Sequence, residues 1–147
     1  MRLALLASLA VLLTSCSSNS GEVDLNTREV GLPNGKRIQA EIMKSPDEMM
    51  RGMMFRDSLA ADRGMLFVHE RAGNYPYWMF QVRIPLDIVW LDSDRRVVEI
   101  LANAPPCKTA ASQCPNYGGH ELAKYVLELR GGGAAANGIT TGTHLDF

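Results

Sequence analysis

The sequence predicts an α+β fold: a mainly antiparallel sheet curled into a partly closed barrel, with one or two short helices. Three observations lead there. Short runs rich in β-branched and aromatic residues recur between Gly, Pro, Asn and Asp, the punctuation of strands and turns. One sharp helix start is followed by only about two turns of helical pattern. No β-α-β alternation is evident, which turns the reading toward hairpins rather than a parallel sheet.

The elements follow in order. Arg37 to Met43 alternates polar and apolar side chains about a β-branched centre, and Pro33-Asn34-Gly35 before it is turn chemistry, so a hairpin opens the domain. Ser45-Pro46-Asp47-Glu48 reads as a helix start, with serine as the cap, proline where no N–H is needed, and acids at the positive end of the helix dipole. That helix is expected to end near Met54. Gly64 to Val68, Tyr77 to Phe80, Leu86 to Asp92, Val97 to Ala102 and Tyr125 to Leu129 read as strands. Asp92-Ser93-Asp94-Arg95 joins the third and fourth of these runs as an antiparallel hairpin. Leu86 to Leu91 is apolar on both faces apart from Asp87, which implies a central strand covered on both sides. Asn103 to His120 holds three prolines and two cysteines and reads as a long loop, functional or stapled. Beyond it, Gly131-Gly132-Gly133 sets off a short Ala-rich turn of helix and a final strand around Thr143 to Phe147.

Composition is ordinary for a globular chain, 46% hydrophobic and 21% charged, so a real core can be buried. The net charge of −1 provides no basic footprint for a phosphate backbone, which argues against nucleic acid as a partner.

The first fifteen residues carry Arg2 and then the apolar run Leu3 to Leu13, the length of a signal-peptide core and too short to span a bilayer permanently. The run ends Leu13-Thr14-Ser15-Cys16, which resembles the lipobox of bacterial lipoproteins, where the cysteine receives a diacylglycerol thioether and becomes the new N-terminus. The expected organisation is a signal peptide over 1–15, a lipidated Cys16 with a Ser/Asn/Gly-rich tether over 16–26, and one domain over 27–147. The membrane is then a partner through the N-terminal lipid, and the protein faces the periplasm or cell exterior. Ser17 in place of aspartate resembles proteins sent on to the outer membrane where the organism has one.

Several linked motifs carry a resemblance: Arg51-Gly52-Met53-Met54-Phe55-Arg56 with Leu59, Gly64-Met65-Leu66-Phe67-Val68, Trp78-Met79 with Ile84-Pro85-Leu86-Asp87, and Tyr125-Val126-Leu127-Glu128-Leu129. Their order and spacing resemble domain of unknown function 192, a family of small bacterial and archaeal proteins that are often secreted or lipid-anchored. The resemblance spans about Arg37 to Phe147 and implies no established activity. After Trp-Met the family typically has Lys-Asn-Thr; here Phe80-Gln81-Val82 stands instead, so a role carried by that lysine is absent or altered.

Cys107 and Cys114 form an even pair once Cys16 is taken by lipid, and in an exported protein a disulfide stapling the long loop is expected. Of the methionines, Met43, Met49, Met50, Met53, Met54, Met65 and Met79 lie in the mature chain. Thioethers are soft ligands that suit Cu(I), but Met49/Met53 and Met50/Met54 have the spacing of an apolar helix stripe packed on a sheet. Core packing is the reading adopted, and neither a metal site nor a cofactor is expected. Arg51 and Arg56 near the helix end, with Asp87 and Glu128 interrupting apolar strands, imply at least one half-buried charge pair. The same residues could instead line a polar mouth, with Trp78 and Met79 as its apolar wall. The function expected is a lipid-anchored extracytoplasmic binding or accessory module for a small polar ligand or an envelope protein. Alternatives are an envelope enzyme with Asp87 or Glu128 as general acid/base, and a structural partner of a membrane complex.

Overall fold

A computed structural model describes residues 26–147; the expected signal segment, Cys16 and the expected tether up to Leu25 lie outside the described residues. Strand β1 (Thr27–Gly31) pairs antiparallel with β2 (Arg37–Met43). Their turn is closed by Gly35 N–H to Leu32 O and Leu32 N–H to Lys36 O, both 2.9 Å, with Gly35 at φ 80°. Helix α1 (Pro46–Arg51) starts at the expected residues: the Ser45 hydroxyl accepts from Glu48 N–H while the Glu48 carboxylate accepts from Ser45 N–H. It ends sooner than expected. Gly52 at φ 41° stops it, and Phe55 at φ 65° turns the chain onto the Gln81 carbonyl (2.9 Å).

Strand β3 (Arg63–Gly73) then lies parallel to β2, so the absence of β-α-β alternation is corrected at this one place. Residues 44–62 are long enough to return the chain to the same end of the sheet, but their six-residue helix is too short to announce a crossover. After β4 (Tyr77–Trp78), β5 (Leu86–Leu91) and β6 (Val97–Ala104) form the expected hairpin, its turn held by Asp92 Oδ1 accepting from Asp94 and Arg96 N–H. The long loop is less irregular than expected. It contains a 3-10 turn at Ala111–Gln113 and strand β7 (Asn116–Tyr117), which pairs with β4 in a small separate sheet. Cys107 and Cys114 are joined by a disulfide. Strand β8 (Ala123–Arg130) runs between β3 and β5, and α2 (Gly133–Ala136) follows it.

The main sheet has the order β1-β2-β3-β8-β5-β6, mainly antiparallel and mostly sheet with two short helices, as an α+β domain should be. It is not closed into a barrel: β1 and β6 remain its edges. The expected final strand is also replaced, by isolated bridges from Asp146 to Gly31 and from His144 to Arg96. Segment 143–146 thus clasps the two sides at one end, with Leu145 fully buried, without a ladder between them. Asp146 alone reaches β1, while Gly142, Thr143 and Leu145 bond Val97 and Arg95 at the other edge, too little pairing to make a strand.

Alternation along the strands sends side chains to two cores, one on each face. Leu66, Val89, Leu91, Leu127 and Leu129 join Ile38, Ala134 and Leu145 on the first. Met65, Phe67, Leu86, Ile88, Trp90 and Val126 join Met43, Met53 and Met79 on the second. Strand β5 is buried along its whole length, as its composition implies, although it lies second from the edge rather than at the centre.

Candidate functional site

The four charged residues singled out in the sequence separate by face. Asp87 and Glu128 lie on neighbouring strands, but Asp87 is opposite Leu129 and Glu128 opposite Ile88, so the two carboxyls point to opposite sides of the sheet. The Asp87 carboxylate, fully buried, is spent on backbone. Its Oδ1 accepts from Asn103 N–H (2.8 Å) and Gly132 N–H (3.0 Å), and its Oδ2 from Ala134 N–H (2.8 Å). It ties the end of β6 to the start of α2. Such a group fixes architecture and has little freedom for chemistry.

Glu128 sits in different surroundings. It is 4% exposed, projects into the second core, and its Oε2 has no hydrogen-bond partner among the described residues. It lines a cavity of about 30 Å³ with Met49, Met53, Met54, Tyr77 and Trp78. Burial pushes its pKa up to about 8, against a smaller downward pull from Arg56. Arg56 is committed elsewhere: its guanidinium makes a two-pronged pair with Glu41, Nη2 to Oε2 at 2.6 Å. The half-buried charge pair expected from the sequence is therefore this one, between the segment after α1 and strand β2. The Glu41 bond raises the Arg56 pKa above its ordinary value. Arg51 is exposed and lies at the rim of the same cavity.

Beside this cavity runs a groove of about 320 Å³, lined by Met49, Met50, His69, Tyr75, Tyr77 and Trp78 with Asn116 and two prolines. The two share Met49, Met50, Tyr77 and Trp78 as walls. The groove's aromatic side is rigidly built. Tyr77 meets Phe67 and Trp90 edge-on, with ring centres 5.0 and 6.0 Å apart. His69 stacks on Tyr75 at 3.5 Å and places Nε2 3.2 Å from the Tyr77 hydroxyl. The Trp90 indole N–H donates to Tyr75 O at 2.8 Å, and Gly118, at φ 62°, lies so close that a Cβ there would come within 2.3 Å of the Trp90 ring. Burial, then Glu128, then Tyr75 raise the Tyr77 pKa, so its phenol stays neutral; burial lowers that of His69.

Trp78 thus meets Glu128 at one cavity, with Arg51 at its rim and Arg56 close enough to act on the carboxyl through space. Met79 is fully buried in the core and Asp87 is on the other face. The methionines divide: Met43, Met53, Met65 and Met79 are core, Met49 and Met54 half-buried, and Met50 is 63% exposed. Sequence reasoning missed His69, Tyr75, Tyr77 and Asn116. The signal available was Tyr75-Pro76-Tyr77-Trp78, an aromatic run in which proline holds the chain extended. Among the described residues no group of three or more His, Cys, Asp or Glu gathers as a metal site, and no helix is long and apolar enough to cross a membrane.

Fold and site together define a small α+β sheet domain with an apolar groove beside one buried carboxyl. The chain belongs to the DUF192 family, described as Uncharacterized ACR, whose profile matches residues 30–147. It is similar to a protein of unknown function from Novosphingobium aromaticivorans, with 31% identity, a TM-score of 0.72, and 82% of this chain and 85% of that one covered. A Sinorhizobium meliloti protein described as a proposed transcription regulator is similar at 28% identity and a TM-score of 0.69, covering 80% and 89%. No curated protein matches the chain.

Proposed function

We propose that this protein is a lipid-anchored extracytoplasmic binding module whose groove takes a small molecule, with Glu128 as its polar anchor. The single observation that carries the reading is the Glu128 carboxyl: buried, unpartnered at Oε2, and set beside an aromatic and thioether groove. A buried polar atom without a partner costs on the order of 1–3 kcal/mol. A ligand that supplied the missing partner would recover that cost, and apolar walls with one placed polar group are the usual make-up of a small-molecule site. The anchor rests on Leu3 to Leu13 ending at Cys16; the membrane served follows from Ser17, which favours an outer membrane where one exists. Asp87 supports no enzyme reading, because its bonds go to backbone N–H groups of β6 and the start of α2.

The test is an NMR fragment screen on the tether-free domain beside the full mature chain. Hits should move the Trp78 indole N–H and the Tyr77 ring and be lost in Trp78→Ala. A chemically broad library that moves neither resonance would overturn the reading.

A further inference from the structure

We propose that the groove and the Glu128 cavity together recognise a protonated amine carried on an apolar body, the ammonium pairing with Glu128 and the body lying against Tyr75, Tyr77 and Trp78. This rests on the binding reading above and names its ligand class. Size comes first. The cavity at Glu128, about 30 Å³, has room for a group the size of one water molecule, and an ammonium group is of that size. The adjoining groove, at about 320 Å³, is at the lower end of small-ligand sites.

Charge decides the class. Aromatic faces are negative and attract cations, while an anion at this place would face both those rings and a carboxyl. A neutral donor could bond Oε2, but only a cation with N–H groups both bonds that oxygen and gains from the rings. A quaternary ammonium would gain from the rings and leave Oε2 unpaired, so the structure favours a primary or secondary amine. Arg56 does not fill this place, because Glu41 holds both its outer nitrogens. Arg51 is exposed at the rim.

The groups facing the carboxyl also set the pH behaviour. Arg56 stays cationic because its bond to Glu41 raises its pKa, the Tyr77 phenol stays neutral because burial and Glu128 raise its pKa, and burial favours the neutral form of His69. Glu128 alone then changes charge between pH 6.5 and 8.5. Affinity for a cation follows the ionised fraction of the free protein, so it should rise roughly 20-fold across that window for a carboxyl titrating near 8.

The experiment titrates the mature protein with 2-phenylethylammonium, its neutral isostere 2-phenylethanol and the anion 3-phenylpropanoate, reading the Trp78 indole N–H at pH 6.5 and 8.5. The expected result is binding of the ammonium at least tenfold tighter than the alcohol at pH 8.5, rising with pH, with the preference lost in Glu128→Gln. Equal binding of ammonium and alcohol, a preference for the anion, or a preference that survives Glu128→Gln would each overturn the amine class while leaving the groove as a binding site. No response to any of the three, with hits from the broader screen, would do the same. Failure of both experiments would remove the groove reading as well.

Discussion

Replacing Glu128 by glutamine should stabilise this protein, and by an amount that depends on pH. In the unfolded chain the carboxyl titrates near its ordinary 4.5, whereas in the fold burial holds it protonated up to about 8. Between those values the unfolded state has lost the proton and the folded state has kept it, so stability falls as pH rises, by roughly 1.4 kcal/mol per pH unit. Below pH 4.5 both states are protonated and the contribution is flat; above about 8 both are ionised and it is flat again. The wild type therefore loses about 3 kcal/mol by pH 7 and about 5 kcal/mol by pH 9 relative to acid. Glu128→Gln keeps the shape without the titration. Urea unfolding of the two proteins should agree within about 1 kcal/mol at pH 4 and diverge by about 3 kcal/mol at pH 7, with the variant the more stable and the slope of unfolding unchanged. A constant difference from pH 4 to pH 9 would refute the argument that this carboxyl is buried neutral. A residue that lowers stability at neutral pH is what a site held ready for a ligand looks like.

Asp87 should behave in the opposite sense: Asp87→Ala strands three backbone donors, one buried and two half-buried, and should cost about 3 kcal/mol in urea unfolding, while leaving the Trp78 resonance in place. Asp87→Asn can keep both bonds at Oδ1 but turns an amide N–H toward Ala134 N–H, so an intermediate loss of about 2 kcal/mol is expected. Arg56→Ala should cost about 1–2 kcal/mol by the same measurement, because its pair with Glu41 is two-pronged yet partly open to solvent, and Arg56→Lys should recover less than half of it. For the anchor, Cys16→Ser should leave the precursor uncleaved or release it without acyl chains, read by mass spectrometry of the N-terminal peptide; an acylated peptide from the variant would remove the lipid-anchor proposal.

What could be read in advance depended on how local its cause was. The Ser45–Glu48 cap, the Asp92 turn and the fully apolar β5 each arise within a few residues, and each is found where its residues predict it. The parallel pairing of β2 with β3 is set by where a 19-residue connection lets the chain return, which no local pattern records. The same limit governed the site. Asp87 and Glu128 look alike in sequence, each an acid inside an apolar run. Only the pleat, one position apart in register, turns one toward three amide donors and the other toward an apolar cavity. Arg56 meets Glu41 across fifteen residues because β2 and the segment after α1 are neighbours only in the folded sheet.

The clasp made by residues 143–146 also bears on the order in which the molecule opens. It joins Gly31 to Asp146 and Val97 to Thr143, closing a loop of more than a hundred residues in the first case for very few hydrogen bonds. Loop closure of that length gains little until everything between is folded, so this seam forms last and opens first. The amides of Gly31 and Val97 lie on opposite sides of the sheet and share no ladder, yet one local event frees both. In hydrogen exchange they should report a single opening free energy, well below that of β3 and β8. While the seam is open, two strand edges face solvent at once, and a second copy of the chain could complete them by exchanging this segment.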